Sequence, residues 1–193
     1  LLRDATLALV CRRYHLNRAQ ALVFASVLLL KRVAVHVGGA AGTGKTHVVR
    51  ELARAFVRKR GPNSVAVLVP THSLSNTSLH FRTLDRFFNV KKLKRSADAP
   101  AVVGPQRYTM DEQIGACCNE PTRIELSDHA RGLETCVCDS VTRDRLRAVE
   151  LIFIDEASLV DAAFFALMDD ALQHARCSQA VFGGVRVVVV ADF

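Results

Sequence analysis

No run of apolar residues in this sequence approaches the roughly 20 that a membrane-spanning helix needs. Nor does a signal-type apolar stretch open it, because Arg3 and Asp4 interrupt the start. A helical membrane span and a secretory leader are therefore not expected. No internal repeat is visible, which sets aside repeat arrays. The six cysteines, Cys11, Cys117, Cys118, Cys136, Cys138 and Cys177, lack the paired spacing of zinc sites. Cys117-Cys118 and Cys136-x-Cys138 with His129 leave a zinc reading open, but unliganded thiols in the insertion, and mostly free thiols in a reducing compartment, are the expectation. The location expected is intracellular and not secreted: nucleus or mitochondrion for a cellular protein, the host cell for a viral one.

What is present is enough for a core. Half of the 193 residues are apolar and 23% are charged, the balance of a globular domain rather than a disordered chain. The net charge of +7 suits a polyanionic partner, nucleic acid first, or describes a merely basic soluble surface. Leu1 to Arg13 reads as a short helix. Asn17 can cap a second one with Gln20 three residues on. Val33–Val37, Val65–Val69, Leu151–Ile154 and Val185–Val190 read as short buried strands. Between them, Thr46 to Arg58 is amphipathic, with Val49, Leu52, Ala53, Phe56 and Val57 on one face, and Asp161 to Ala175 reads as a helix. Strands alternating with helices predict an α/β fold with a parallel sheet covered on both faces. Residues 1–88 and 148–193 would form that domain. Residues 89–147, with the charge run Lys91 to Arg95 and Pro100, Gly104, Pro105 and Pro121, read as an insertion of loops and small helices. The charge run is a nucleic-acid grip or a solvated segment. Phe164, Leu167, Met168 and Ala171 fall at helical spacing and read as core. Phe81, Phe87 and Phe88 can stack on bases or pack in the core, and packing is the expectation for the last pair.

Gly39-Ala40-Ala41-Gly42-Thr43-Gly44-Lys45-Thr46 fits the G-x-x-x-x-G-K-[ST] pattern at every fixed position. The glycines let the backbone curl so that successive N–H groups face a phosphate, and the following helix adds its positive end. Lys45 neutralises the β- and γ-phosphates, and the Thr46 hydroxyl suits Mg2+. Downstream, the apolar strand Leu151–Ile154 ends in Asp155-Glu156. Asp155 would hold Mg2+, directly or through water, and Glu156 would orient and deprotonate an attacking water. Together the two segments predict a P-loop NTPase, with ATP the expected nucleotide.

The motifs in order, Leu16 to Gln20, Gly38 to Thr46, Asp155-Glu156-Ala157-Ser158-Leu159-Val160-Asp161, and Phe182-Gly183-Gly184 through Ala191-Asp192-Phe193, resemble superfamily-one DNA helicases, most closely the Pif-type (petite integration frequency) group. The resemblance implies the first RecA-like motor domain of such a helicase. Gln20 would read the adenine edge, beside or in place of a capping box with Asn17. Asp192 would belong to the element that senses the γ-phosphate. Thr71, His72 and Ser73 would contact the single-stranded DNA backbone, or form an ordinary turn. Thr83 would join them, although Asp85 stands where the family has histidine. Single-stranded or forked DNA is the implied partner. A second motor domain, carrying the arginine finger, is expected beyond Phe193. A RecD-like helicase shares the loop and the acidic box, and a nucleotide-binding module without turnover is the reading from another class.

Overall fold

The computed structural model of the chain describes residues 4–40, 42–70, 81–92, 122–126 and 134–191. Two helices come first, α1 (Asp4–Tyr14) and α2 (Arg18–Leu28). Then β1 (Ala34–Gly38), α3 (Lys45–Arg60), β2 (Val65–Val69), β3 (Phe81–Thr83) and α4 (Leu84–Phe88) follow. The segment after α4 supplies β4 (Val90–Lys92), β5 (Thr122–Leu126) and β6 (Glu134–Cys138). The chain then returns through α5 (Ser140–Ala148), β7 (Leu151–Ile154), α6 (Ala162–Arg176) and β8 (Arg186–Ala191).

The main sheet has the order β1-β8-β7-β2-β3, and every neighbouring pair is parallel. All five strands therefore end on the same edge, the carboxyl edge, and begin on the opposite, amino edge. This is the α/β architecture that the alternation of strands and helices implies. Strand β7 and the Val-rich β8 lie inside it: all of Leu151–Ile154 is buried. Helices α1, α2 and α3 cover one face, with Phe24, Leu52 and Phe56 packed against Val37, Phe153 and Val188. Helices α4, α5 and α6 cover the other, with Phe88, Leu146, Leu167 and Met168 against Leu68, Ile152 and Ile154. Each such buried side chain contributes roughly 1.5–3 kcal/mol. Phe87 and Phe88 belong to this core, and their rings meet edge to face.

The expected helix at Thr46 begins at Lys45, and its apolar stripe sits slightly to one side of the expected one. Val48 is buried and Val57 is 37% exposed, because the stripe 48/49, 52/53, 56 leaves position 57 at its margin. The segment read as loops and small helices departs more. Its described residues form a second, antiparallel sheet in the order β4-β6-β5. Part of the charge run is strand, since Lys91 and Lys92 pair with Thr135 and Glu134. Among the described residues no group of three or more metal-binding side chains occurs. Cys11 and Cys138 are free thiols, whereas Cys177 is disulfide-bonded, an exception to the expectation of mostly free thiols.

His174, half-buried in α6, has its pKa held below the usual 6.5, chiefly by burial and then by the positive charges of Arg143 and Arg147. Below pH 6.5 the unfolded chain takes up a proton that the folded chain resists, so stability falls as the pH drops through that value. The slope is at most about 1.4 kcal/mol per pH unit. Melting temperature followed from pH 7.5 to 5.5 is expected to fall several degrees further in the wild type than in His174→Gln (about 2–4 °C per kcal/mol). Parallel curves for the two proteins would remove His174 as the cause.

Candidate functional site

The Gly-rich segment leaves β1 at the carboxyl edge and turns into α3. Two of its glycines have the left-handed φ that side chains disfavour, +81° at Gly42 and +83° at Gly44. Gly44 is also the N-cap of α3 and offers it no side-chain cap. The start of that 16-residue helix, an end that favours negative charge, therefore carries no capping side chain. Inside the turn the polar groups hold one another. Thr43 Oγ1 donates to Ala40 O at 2.9 Å, and Lys45 Nζ donates to Gly39 O at 2.7 Å and Ala40 O at 2.9 Å. Gly42, Thr43 and Thr46 are exposed or half-buried, and nothing lies within 4 Å of where a Cβ on Gly42 would project.

Gln20 braces this turn from α2. Its Oε1 accepts from Asn17 N at 3.0 Å, its own N–H donates to Asn17 Oδ1 at 2.9 Å, and its Nε2 donates to Thr43 O at 3.1 Å. The capping box is therefore real, and the same amide also reaches the loop. That second contact was not readable from the sequence, although the glycine at 44 is its trace: a Cβ there would stand 2.5 Å from Gln20 Nε2.

Asp155 follows β7 on the same edge. Its N–H donates to Leu68 O at 2.9 Å, and its Oδ1 accepts from Glu156 N at 3.0 Å. Glu156 sits at φ +53°, an uncommon value for a side-chain-bearing residue, where the chain leaves the strand for the 3-10 turn Ala157–Leu159. Asp161 then caps α6 by accepting from Phe164 N at 2.8 Å. The registers tie the two halves together. Ile154 and His36 both pair with Val189, so Asp155 comes level with Val37, two residues before Gly39. Only β8 lies between, so β1 and β7 are two strand spacings apart, about 10 Å. The glycine turn and the carboxylates share one edge of one sheet.

The sequence of residues 15–192 matches the model of the AAA domain family. The chain belongs to the AAA domain family. Within it the chain is Pif1-like. It is 26% identical over 159 residues to the ATP-dependent DNA helicase Pif1 of Bdellovibrio bacteriovorus, covering 82% of this chain and 28% of that protein. It is 23% identical to the ATP-dependent DNA helicase PIF7 of Trypanosoma brucei brucei, over 93% of this chain and 15% of that one. The chain thus spans under a third of these relatives. Among solved structures, Pif1 helicase from Candida albicans superposes with a TM-score of 0.60 at 22% identity, over 92% of this chain and 32% of that one. Pif1 from Bacteroides in complex with ADP-AlF3 and ssDNA gives 0.57 at 20%, over 92% and 32%. At those identities the structures speak for the fold alone, the RecA-like arrangement that this chain shares with them. The resemblance read from the motifs holds for this AAA domain.

The remaining site residues divide. Ala41, Thr71, His72, Ser73 and Asp192 lie outside the described residues. Thr83 ends β3 on the carboxyl edge, but it is 8% exposed and its Oγ1 accepts from Arg86 N at 3.3 Å as the cap of α4. That geometry gives Thr83 a structural task in the AAA domain.

Proposed function

We propose that this chain is the first motor domain of an ATP-dependent DNA helicase. ATP and Mg2+ sit between Gly39–Thr46 and Asp155-Glu156, and hydrolysis, completed by a second motor domain, drives movement along single-stranded DNA and duplex unwinding. The observation that supports this most directly is the shared carboxyl edge: the turn after β1 and the acid pair after β7 flank one strand. The donor set fits the ion, since a hydroxyl at Thr46 and a carboxylate at Asp155 are the hard oxygen ligands that Mg2+ prefers. When bound, Mg2+ neutralises charge on the phosphates. The other tasks fall to the chain. Loop amides and the start of α3 hold the phosphates, and Lys45 exchanges its two carbonyl partners for phosphate oxygens. Glu156 orients and deprotonates the attacking water. Gln20 favours adenine, which requires its amide to release Thr43 O or Asn17 N, both now engaged. Thr71, His72 and Ser73 after β2, with Asp192 after β8, would couple the nucleotide to the DNA strand.

The full-length helicases named above extend well beyond the span of this chain, so the test uses both lengths. This chain is expected to bind ATP with Mg2+ at a dissociation constant between roughly 1 μM and 1 mM. The full-length protein is expected to hydrolyse ATP faster when single-stranded DNA is added. Binding without turnover in the full-length protein, with or without DNA, would favour a regulatory nucleotide module. An absence of binding would sink the proposal outright.

A further inference from the structure

The amino edge of the sheet, opposite the nucleotide site, carries most of the protein's surplus charge. The helix ends and described junctions that feed β1, β2, β7 and β8 span residues 29–33, 58–64, 147–150 and 176–185. They hold seven cations and one carboxylate, a surplus of six against +7 for the whole chain. Lys31, Arg32, Arg58, Lys59, Arg60 and Arg147 are exposed. The carboxylate, Glu150, faces Arg60 Nε at 3.5 Å, and its backbone joins the junctions: its N–H donates to Ser64 O at 2.8 Å and its carbonyl accepts from Arg186 N at 3.0 Å.

On one side of this edge lies a recess of about 530 Å³ lined by Arg147, Arg176, Ser178 and Gly183. Its guanidinium groups are fixed by the backbone. Arg176 Nε donates to Gly183 O at 2.9 Å and Nη1 to Arg147 O at 2.7 Å and Val149 O at 3.0 Å, while Arg147 Nε donates to Ala175 O at 2.6 Å. Two positive groups are thereby held in place, with no carboxylate partner on either among the described residues.

We propose that this edge is a second nucleic-acid face, which grips the phosphate backbone of a duplex. Its reach fits. From β1 to β2 is three strand spacings, about 14 Å, and duplex DNA presents one phosphate charge per roughly 1.7 Å of axis. Its chemistry fits a duplex rather than a single strand. Single strands are held by a positively charged groove combined with aromatic side chains on which the bases stack, and every exposed large apolar residue among the described ones is aliphatic. A row of cations without a stacking platform reads backbone, not bases. The nucleotide and the single strand of the proposed motor belong to the other edge, so a protein with both faces would hold the duplex while pulling one strand.

The test measures fluorescence anisotropy of a labelled 20-base-pair duplex and of the same-length single strand against this chain, from 50 to 300 mM salt. The variant carries Lys31→Gln, Arg32→Gln, Arg58→Gln and Lys59→Gln, four exposed changes away from the nucleotide loop, with an unchanged melting temperature as the check on folding. For the duplex, affinity at low salt is expected to fall at least about tenfold. The slope of log K against log salt should flatten by about 2–4, near 0.9 for each phosphate no longer neutralised. Single-strand affinity should stay within about threefold, since the single strand of the proposed motor is held at the other edge, which does not involve these residues. Lys45→Ala should leave duplex affinity unchanged, so a failed nucleotide site and a failed duplex face are told apart. An unchanged salt slope overturns the proposal, as does a wild type that ignores duplex. Equal losses for duplex and single strand, or loss of binding to phosphatidylserine vesicles with duplex binding intact, overturn it as well.

Discussion

Lys45→Ala is expected to weaken Mg2+-dependent ATP binding by this chain about 100-fold or more, and to abolish measurable hydrolysis by the full-length protein. A hydrogen bond to a charged group contributes about 1.5–3 kcal/mol, and Lys45 has at least two to give. In the structure its Nζ reaches back to Gly39 O and Ala40 O, at 2.7 and 2.9 Å. Those carbonyls lie in the turn that the glycines curl, so the ammonium is already stationed where the β- and γ-phosphates would come. Moving it onto a triphosphate exchanges neutral acceptors for anionic ones, and alanine has nothing to exchange. The fold should be untouched, because Lys45 is the first residue of α3 and alanine is the best helix former. Titration calorimetry with ATP and Mg2+ reads the effect directly. An affinity within about threefold of the wild type would mean that this turn does not cradle phosphate, and with it the motor reading would be lost. Glu156→Gln offers the contrast: it keeps the shape and should spare binding while it slows turnover.

The turn and the acid pair were legible in the sequence because their chemistry leaves little choice of residue. A backbone that curls around an anion needs glycine at left-handed positions, and Gly42 and Gly44 hold them. The strands were legible where they are buried on both faces, as β7 is, since such strands read as unbroken apolar runs. The same logic explains the antiparallel sheet that the sequence did not disclose. Its strands are three to five residues long, and Val90–Lys92 runs into a charge run, so neither apolar runs nor turn residues mark it. Its pairing joins residues far apart in the chain, Val90 with Cys136 for example, and no local pattern encodes that. Thr83 shows a related limit of the sequence. A hydroxyl before a short helix suits a phosphate contact and an N-cap equally, and the cap bond to Arg86 N and the burial of Thr83 show only in the fold. Gln20 shows the reverse, for the local capping box was evident from Asn17 while the reach across 23 residues to Thr43 O was not.

Phe182-Gly183-Gly184 entered as a motif and leaves as a packing constraint. Gly183→Ala is expected to destabilise the domain by about 2–5 kcal/mol, combining the left-handed penalty of about 1–2 kcal/mol with overpacking of about 1–3 kcal/mol. At φ +58°, a Cβ on Gly183 would fall 2.6 Å from Leu172 O and 2.8 Å from Leu172 C. Those are backbone atoms of α6, a helix whose Leu167, Met168 and Leu172 are fully buried, so they cannot step aside without moving the core. The same residue's carbonyl accepts from Arg176 Nε, so the shift would also disturb the bonds that Arg176 makes to the end of α5. Gly184 is the control. Its φ is +79°, but nothing lies within 4 Å of its absent Cβ, so Gly184→Ala should cost only the backbone term, about 1–2 kcal/mol. At about 2–4 °C per kcal/mol, the first variant should melt roughly 10 °C below the wild type and the second only a few degrees below. Both should bind ATP normally while folded, because the turn lies on the amino edge and the nucleotide loop on the other. Equal melting temperatures for the two variants would show that α6 yields to the added methyl, and the motif would then need a reason other than packing.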